Sequence, residues 1–446
     1  MHQEHGRRGS IVQESVRVSK RAPGLYYGWI VAIALALLAS ANNGGSYAFG
    51  IYFGSISQQF GIDRAALSLT VTINRFLAGL LQPVAGYLAD RYGPRQVGVA
   101  GAIILGTGLA ILSFARTLPA IYVAYGLIAG IGMAAMAGGI SAKVMGAWFI
   151  RRRGVAMSLA GGGTIIAQIL IVPAATFILV KTNWQTADRI VAALVLLIIV
   201  PVAWVLIRNH PKELNLQPDG EPTLAVAAVG GQPTSAISDT VGLSLRQAMR
   251  FPAFWQLAVG LIACGVTMSF PSTHLMAYTT DMGMSDMTAS ETIGIAGLLS
   301  LPGSVGLGYL GDRFGRDRML ATAYALRAIT YITLLQAHHP AIMFAAGIAL
   351  GLSWGATVPL TAAIVADLFG RKAIATIVNT MTMLMFLASG SFVYLAGLDY
   401  DRLGSYDLSL AFAVLMGVSA CVCCWRIRMP EGAQSFTQTG ALPVYH

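Results

Sequence analysis

The chain has 446 residues, of which 56% are hydrophobic and 11% charged, with a formal net charge of +10. Soluble domains carry roughly 25% charged residues, so this chain lacks the polar coat that a water-exposed core of its size requires. Lipid must cover much of its surface, and its 50 glycines agree, since glycine is commoner in membrane helices than in soluble ones.

Residues 1–24 are polar and basic, with no small-residue cleavage site before the first apolar run, and read as a short cytoplasmic tail. Twelve apolar segments follow, at about 28–56, 67–89, 96–115, 119–147, 154–180, 187–208, 253–279, 289–311, 318–336, 340–368, 373–397 and 407–427. Each is long enough to cross a ~30 Å hydrocarbon core at ~20 residues per helix, and lipid leaves the backbone little choice but helix. The one long polar stretch, 209–250, reads as a cytoplasmic linker with a short amphipathic helix near 243–250. The expected division is a tail (1–24), a six-helix half (25–208), the linker (209–250), a second six-helix half (251–428) and a cytoplasmic tail (429–446).

The placement of the cations removes nucleic acid as a partner. Of 29 Lys and Arg, five fall in loops of one side (Arg64, Arg116, Lys181, Arg189, Arg402), three inside apolar segments (Arg75, Lys143, Arg327), and the other 21 in the tails, linker and opposite loops. This is the positive-inside pattern, and it puts both termini in the cytoplasm of a cell membrane. The cysteines (Cys264, Cys421, Cys423, Cys424) all lie in apolar segments, with no His or carboxylate nearby in sequence to complete a metal site. No phosphate-binding, metal-ligand or nucleophile motif appears, so neither an enzyme nor a cofactor is expected.

One ten-residue stretch occurs twice. Gly86-Tyr87-Leu88-Ala89-Asp90-Arg91-Tyr92-Gly93-Pro94-Arg95 matches Gly308-Tyr309-Leu310-Gly311-Asp312-Arg313-Phe314-Gly315-Arg316-Asp317 at six positions. Each copy joins two apolar spans, as a tight charged loop at a membrane surface does. A second pair, Trp148-Phe149-Ile150-Arg151-Arg152-Arg153 and Leu368-Phe369-Gly370-Arg371-Lys372, lies at nearly the same offset, which points to duplication of a six-helix unit.

With these residues in hand, the chain resembles the major facilitator superfamily over residues 25–430. The loop Gly86–Arg95 is similar to the superfamily's signature between helices two and three. The entry Tyr27-Gly28-Trp29 and the run Trp148–Gly163 are similar to the monocarboxylate and oxalate–formate transporter group. The resemblance implies two six-helix bundles that rock about a mid-membrane site, with helices one, four, seven and ten lining the cavity. It implies that Asp90, Arg91, Arg95, Asp312, Arg313 and Arg316 belong to gating loops. Members of this group usually carry an arginine in helix eight, eight residues before the motif Asp; here that position is Ser304, whose repeat partner is Gln82.

A charge within the bilayer costs at least ~2.5–3.5 kcal/mol and marks a functional candidate. Arg75 lies about 22 Å along helix two from the motif Asp, and seven residues from Gln82, so on the same face. It either faces the cavity and pairs with a substrate anion, the missing cation having moved to the first half, or serves a structural role between helices. Arg327, in a helix expected outside the cavity, reads as structural. Asn42 and Asn43, near the middle of helix one, are candidates for substrate binding or for holding helices together. Tyr47 lies one turn on, and Gln168 and Trp354 stand in helices five and ten. His274, after Pro271 in helix seven, is either a proton relay or a hydrogen-bonded interface residue. None of the 19 Asp and Glu is expected near a bilayer midplane, and cations without acids suit an anionic cargo. The expectation is a monomeric twelve-helix secondary transporter of a small organic anion, by proton symport or anion exchange. The alternatives are efflux of a hydrophobic compound and a non-transporting sensor on the same fold.

Overall fold

The computed structural model describes residues 26–136, 139–150, 152–220, 242–370 and 373–427. Both tails, the linker segment 221–241 and the cations Arg151, Arg371 and Lys372 lie outside the described residues. Within them the chain is almost entirely helical, as an apolar sequence without water to satisfy its backbone must be.

Twelve spans run in order: α1 (Tyr27–Phe60), α2 (Arg64–Tyr92), α3 (Pro94–Leu112), α4 (Leu118–Trp148), α5 (Gly154–Lys181), α6 (Trp184–Leu206), α7 (Pro252–Thr273, continued by Leu275–Asp281), α8 (Asp286–Phe314), α9 (Arg316–Leu334), α10 (Pro340–Phe369), α11 (Ile374–Leu403) and α12 (Asp407–Trp425). Eleven are apolar and long enough to cross a membrane alone. The exception, α9, has 19 residues that include Arg316, Asp317 and Arg318 in its partly exposed first turn and a fully buried Arg327, which depends on neighbouring helices for its partners. α7 is interrupted at His274, three residues after Pro271, which itself stays inside the helix. In the linker, a single helical turn forms at Leu245–Ala248.

The duplication is visible in the backbone. The joints α2–α3 and α8–α9 turn on Gly93 (φ +95°, ψ 142°) and Gly315 (φ +104°, ψ 129°). Both conformations are barred to residues with a Cβ. Each glycine accordingly closes one helix and opens the next within a single residue.

Each half buries its own seam. In the first half α3 packs on α4 and α6, and in the second α9 packs on α10 and α12. Between halves, α2 lies along α11, α5 along α8 and α1 along α7. Large apolar side chains such as Leu170, Phe177, Leu197, Leu301, Leu415 and Trp425 stay exposed on the outer faces, where lipid covers them.

The two ends of the molecule differ. At the end opposite the repeated loops the halves lock together. Arg64 forms a paired contact to Asp281 (2.6 and 2.8 Å) and donates to the Tyr406 hydroxyl (2.8 Å). Its guanidinium stacks 3.5 Å from the Tyr400 ring centroid. Asp401 of α11 accepts from the amides of Arg64 and Ala65, so the first turn of α2 is capped from the other half. Here too Gly50 sits against Ser272, where a Cβ would fall 2.1 Å from the carbonyl oxygen. At the motif end, the ion pairs among the described residues stay within one half. A cavity of about 530 Å³ there reaches from Gln82, Gly86, Asp90 and Lys143 to Asn379 of α11.

A cation-centred cleft between the halves

The middle of α1 carries Asn42, Asn43, Ser46 and Tyr47 on adjoining turns. Ser46 accepts from Arg75 of α2 at 2.7 Å, which brings the guanidinium to the seam of α1, α2 and α11. Gly390 of α11 leaves room there, for its Cβ position would lie 3.2 Å from Arg75 Cβ. Arg75 is half-buried, its Nε has no partner, and among the described residues no carboxylate pairs with it. A cation held this way, inside lipid and without a counter-ion, leaves donors free for an anion.

Further polar groups gather around Tyr47, the residue next to Ser46. Gln168 lies in a π-helical turn of α5 (Ala167–Ile171), the widened geometry that often marks functional sites. Its Nε2 donates to the Tyr47 hydroxyl at 2.9 Å, while its Oε1 is buried without a partner. The same side chain crosses to α8 at Gly297. The Tyr47 and Trp354 rings face each other across the halves, centroids 6.5 Å apart. Asn42 keeps a buried, unpartnered Oδ1, whereas Asn43 donates to the Ala39 carbonyl of its own helix. Gln168 and Trp354 thus both meet Tyr47, the residue that follows the serine bonded by Arg75, while Asn42 lies one turn before that serine on α1.

Gln82 and His274 do not join them. Gln82 lines the motif-end cavity. His274 is fully buried at the locked end, Nε2 against the Val393 carbonyl (3.0 Å) and Nδ1 against the Tyr406 hydroxyl (3.2 Å). Burial pushes the Tyr406 phenol above its ordinary range while Arg64 pulls the other way, so it remains a neutral hydroxyl.

The loop residues form two local networks. In the first half Asp90 pairs with Lys143 of α4 (2.6 Å), which also donates to the Gly86 carbonyl (2.8 Å). Arg91 lies over Tyr92, and Arg95 over Trp204 with its amide on Asn209. In the second half Arg316 bonds Asp312 (2.9 Å) and Asp367 of α10 (2.8 Å), and Arg313 lies over Phe314.

Two buried charges carry more than the sequence suggested. Arg327 is fully buried, and reaches from α9 to Thr267 Oγ1 (3.0 Å) and the Cys264 carbonyl of α7, and to Thr357 Oγ1 (3.1 Å) and the Trp354 carbonyl of α10. It therefore sits at the break in α10, between Trp354 and Thr357, which Ser304 also touches through the Gly355 carbonyl. A cation at the end of a helix segment complements its dipole. The second is Asp188, which stands at the very edge of the apolar segment 187–208 and so reads from sequence as a surface charge. The helix begins at Trp184, and Asp188 lies one turn inside it, fully buried.

Comparison with known proteins sets this geometry in a family. The model of the Major Facilitator Superfamily matches residues 35–310 and 293–444. The uncharacterized MFS-type transporter YcxA of Bacillus subtilis is 22% identical over 88% of this chain and 94% of its own length. Monocarboxylate transporter 13 of Bos taurus is 25% identical over 87% and 86%, and monocarboxylate transporter 11 of Homo sapiens 27% identical over 86% and 79%. Among solved structures, a bacterial homolog of the human lysosomal transporter Spinster, inward-facing and occupied, matches with a TM-score of 0.64 at 14% identity over 90% of this chain and 97% of that one. Twelve spans, a duplicated loop and a family model matched along most of the chain make this protein a member of the major facilitator superfamily, a multi-pass membrane transporter and not an enzyme.

Proposed function

We propose that this transporter carries a small organic anion, a monocarboxylate or a related carboxylate, through the cleft at Arg75. The observation that carries the reading is a half-buried guanidinium at the seam of the halves with no carboxylate to neutralise it. A carboxylate supplies the missing charge and accepts the paired hydrogen bonds that arginine is shaped to give. Tyr47, Gln168 and Asn42 set its orientation, and Trp354 covers it from the second half. The printed names of the vertebrate relatives favour the same cargo class.

Transport then proceeds by rocking of the halves. The motif end is cytoplasmic on this reading, by the concentration of Lys and Arg there, in a cell membrane with both termini inside and the chain acting as a monomer. The conformation with the Arg64–Asp281 lock closed is the inward-facing one. Coupling is to a proton or to a second anion. Labelled acetate, lactate and pyruvate, offered to proteoliposomes with and without a pH gradient, test this: saturable uptake of at least one is expected. Failure of all three, with export of lipophilic cations instead, would replace an anion carrier by a drug exporter.

A further inference from the structure

Asp188 is a buried carboxylate that the proposed cargo cycle does not use. It is fully buried in α6, and both its oxygens lack a hydrogen-bond partner. The hydroxyl of Tyr52, on α1, is equally buried and equally unpartnered, and it lies within electrostatic reach of Asp188. From α4, Tyr125 is also within reach; no charged group of α3 or α5 acts on the carboxyl. An ion pair therefore does not explain its presence. A carboxylate that stays charged in such a place without a partner is costly, and a proton is the partner that the site can take.

Two further features give the acid a route and a correspondent. The end of α6 opens into a polar cleft of about 620 Å³ lined by Gln59 and Arg116 and by Asn183, Gln185, Thr186 and Arg189, the last four of which flank Asp188 in sequence. On the inner side, the Tyr125 hydroxyl approaches the carbonyls of Gly45 (3.3 Å) and Ser46 (3.4 Å), and Ser46 Oγ is the group that Arg75 bonds. Among the described residues of the first half, Arg75 has no carboxylate and Asp188 no hydrogen-bond partner, and Tyr125 lies within electrostatic reach of both.

We propose that Asp188 is a proton-binding site, loaded from the polar cleft and linked to the anion site at Arg75 across Tyr125. The inference rests on the reading of Arg75 as the anion site. One proton adds to a carboxylate oxygen to give the acid, and the same proton leaves on release; no other bond changes. With the cleft empty, the Arg75 charge favours the ionised form of Asp188. An anion on Arg75 cancels that field and draws a proton onto Asp188. By linkage, the proton strengthens anion binding by the same factor.

Infrared titration of the purified protein reads the carbonyl stretch of a protonated carboxyl without needing a cargo. Asp188→Asn, a neutral isostere of the acid, should erase one such band and leave the melting temperature at neutral pH unchanged. Arg75→Gln should move the titration midpoint of that band upward, because the acid loses a nearby cation. In proteoliposomes given lactate, pyruvate or acetate, Asp188→Asn should lose accumulation driven by a pH gradient, and Asp188→Glu should restore part of it. If no band disappears in Asp188→Asn, or if its gradient-driven uptake equals that of the wild type, Asp188 is a structural acid and the proposal is overturned. If Arg75→Gln transports normally while Asp188→Asn loses both band and coupling, the anion reading of Arg75 fails and the proton site stands without its link.

Discussion

The two halves descend from one unit, yet each treats its buried arginine differently. In the first half Arg75 stands on α2, a helix that meets the other half, and its contacts leave donors unused. In the second half Arg327 stands on α9, turned into its own bundle, with four bonds to oxygens of α7 and α10. One cation is kept available and the other is consumed in holding a broken helix. The motif ends show the same inversion. In the first half the acid belongs to the loop and the cation to α4; in the second, Arg316 of the loop reaches the acid of α10. A duplicated fold can keep its backbone while exchanging which side of each contact carries the charge.

The largest expected effect breaks this contrast at its available cation. Arg75→Gln should lower kcat/KM for the transported acid by about thirtyfold or more, since truncating one partner of a desolvated charge pair costs about 2–5 kcal/mol. Membrane yield and melting temperature should hold, because no protein carboxylate loses a partner. A variant that transports normally would place Arg75 among structural residues with Arg327.

Arg327 should behave in the opposite way. Arg327→Met leaves Thr267, Thr357 and the Trp354 carbonyl without their donor, and should cost about 2–3 kcal/mol of stability. Arg327→Lys should not restore it, since an ammonium on a single stem cannot span α7 and α10 as a planar fork does. Thermal melts in detergent read both. Stability equal to the wild type in either variant would mean that the α10 break holds itself.

The sequence made the two arginines visible for a simple reason: a charge in an apolar run has no local explanation. The same signal failed for Asp188, one turn from a helix end, where an acid passes for a loop residue until the helix boundary is known. The gathering of Tyr47, Gln168 and Trp354 was legible only as three polar candidates on three helices. Helix rotation sets their meeting, and an all-round apolar sequence barely encodes rotation. The site of His274 turned on the same point: its helix was clear, but its two partners, Val393 and Tyr406, come from the chain's last two spans. The lock at Arg64 was read as loop charge, because its acids, Asp281 and Asp401, lie 217 and 337 residues away.

That lock permits a test of the two ends. Arg64→Ala and Asp281→Asn should each shift the population toward opening at the locked end, by about 1–2 kcal/mol, and the double variant should do no more than either single one. Distances between spin labels on the tips of α1 and α7 would show it. Additive effects would mean that Arg64 and Asp281 act through separate partners, such as Tyr406 or the Tyr400 ring for Arg64.

The smallest effect probes the repeat itself. Gly93→Ala and Gly315→Ala each place a Cβ where φ is +95° and +104°, and each should cost about 1–2 kcal/mol for that backbone alone. The surroundings then separate them. A Cβ at Gly93 would meet the side chains of Gln96 (2.5 Å) and Asn209 (2.9 Å), and Asn209 also holds the Arg95 amide. At Gly315 the crowding comes mainly from Asp317 Oδ1 (2.7 Å), the end of a side chain free to turn away. Gly93→Ala should therefore melt lower than Gly315→Ala, while any backbone penalty they share measures what the duplication preserved. Equal melting temperatures would mean that Asn209 yields without cost, and that the two joints differ in sequence but not in mechanics.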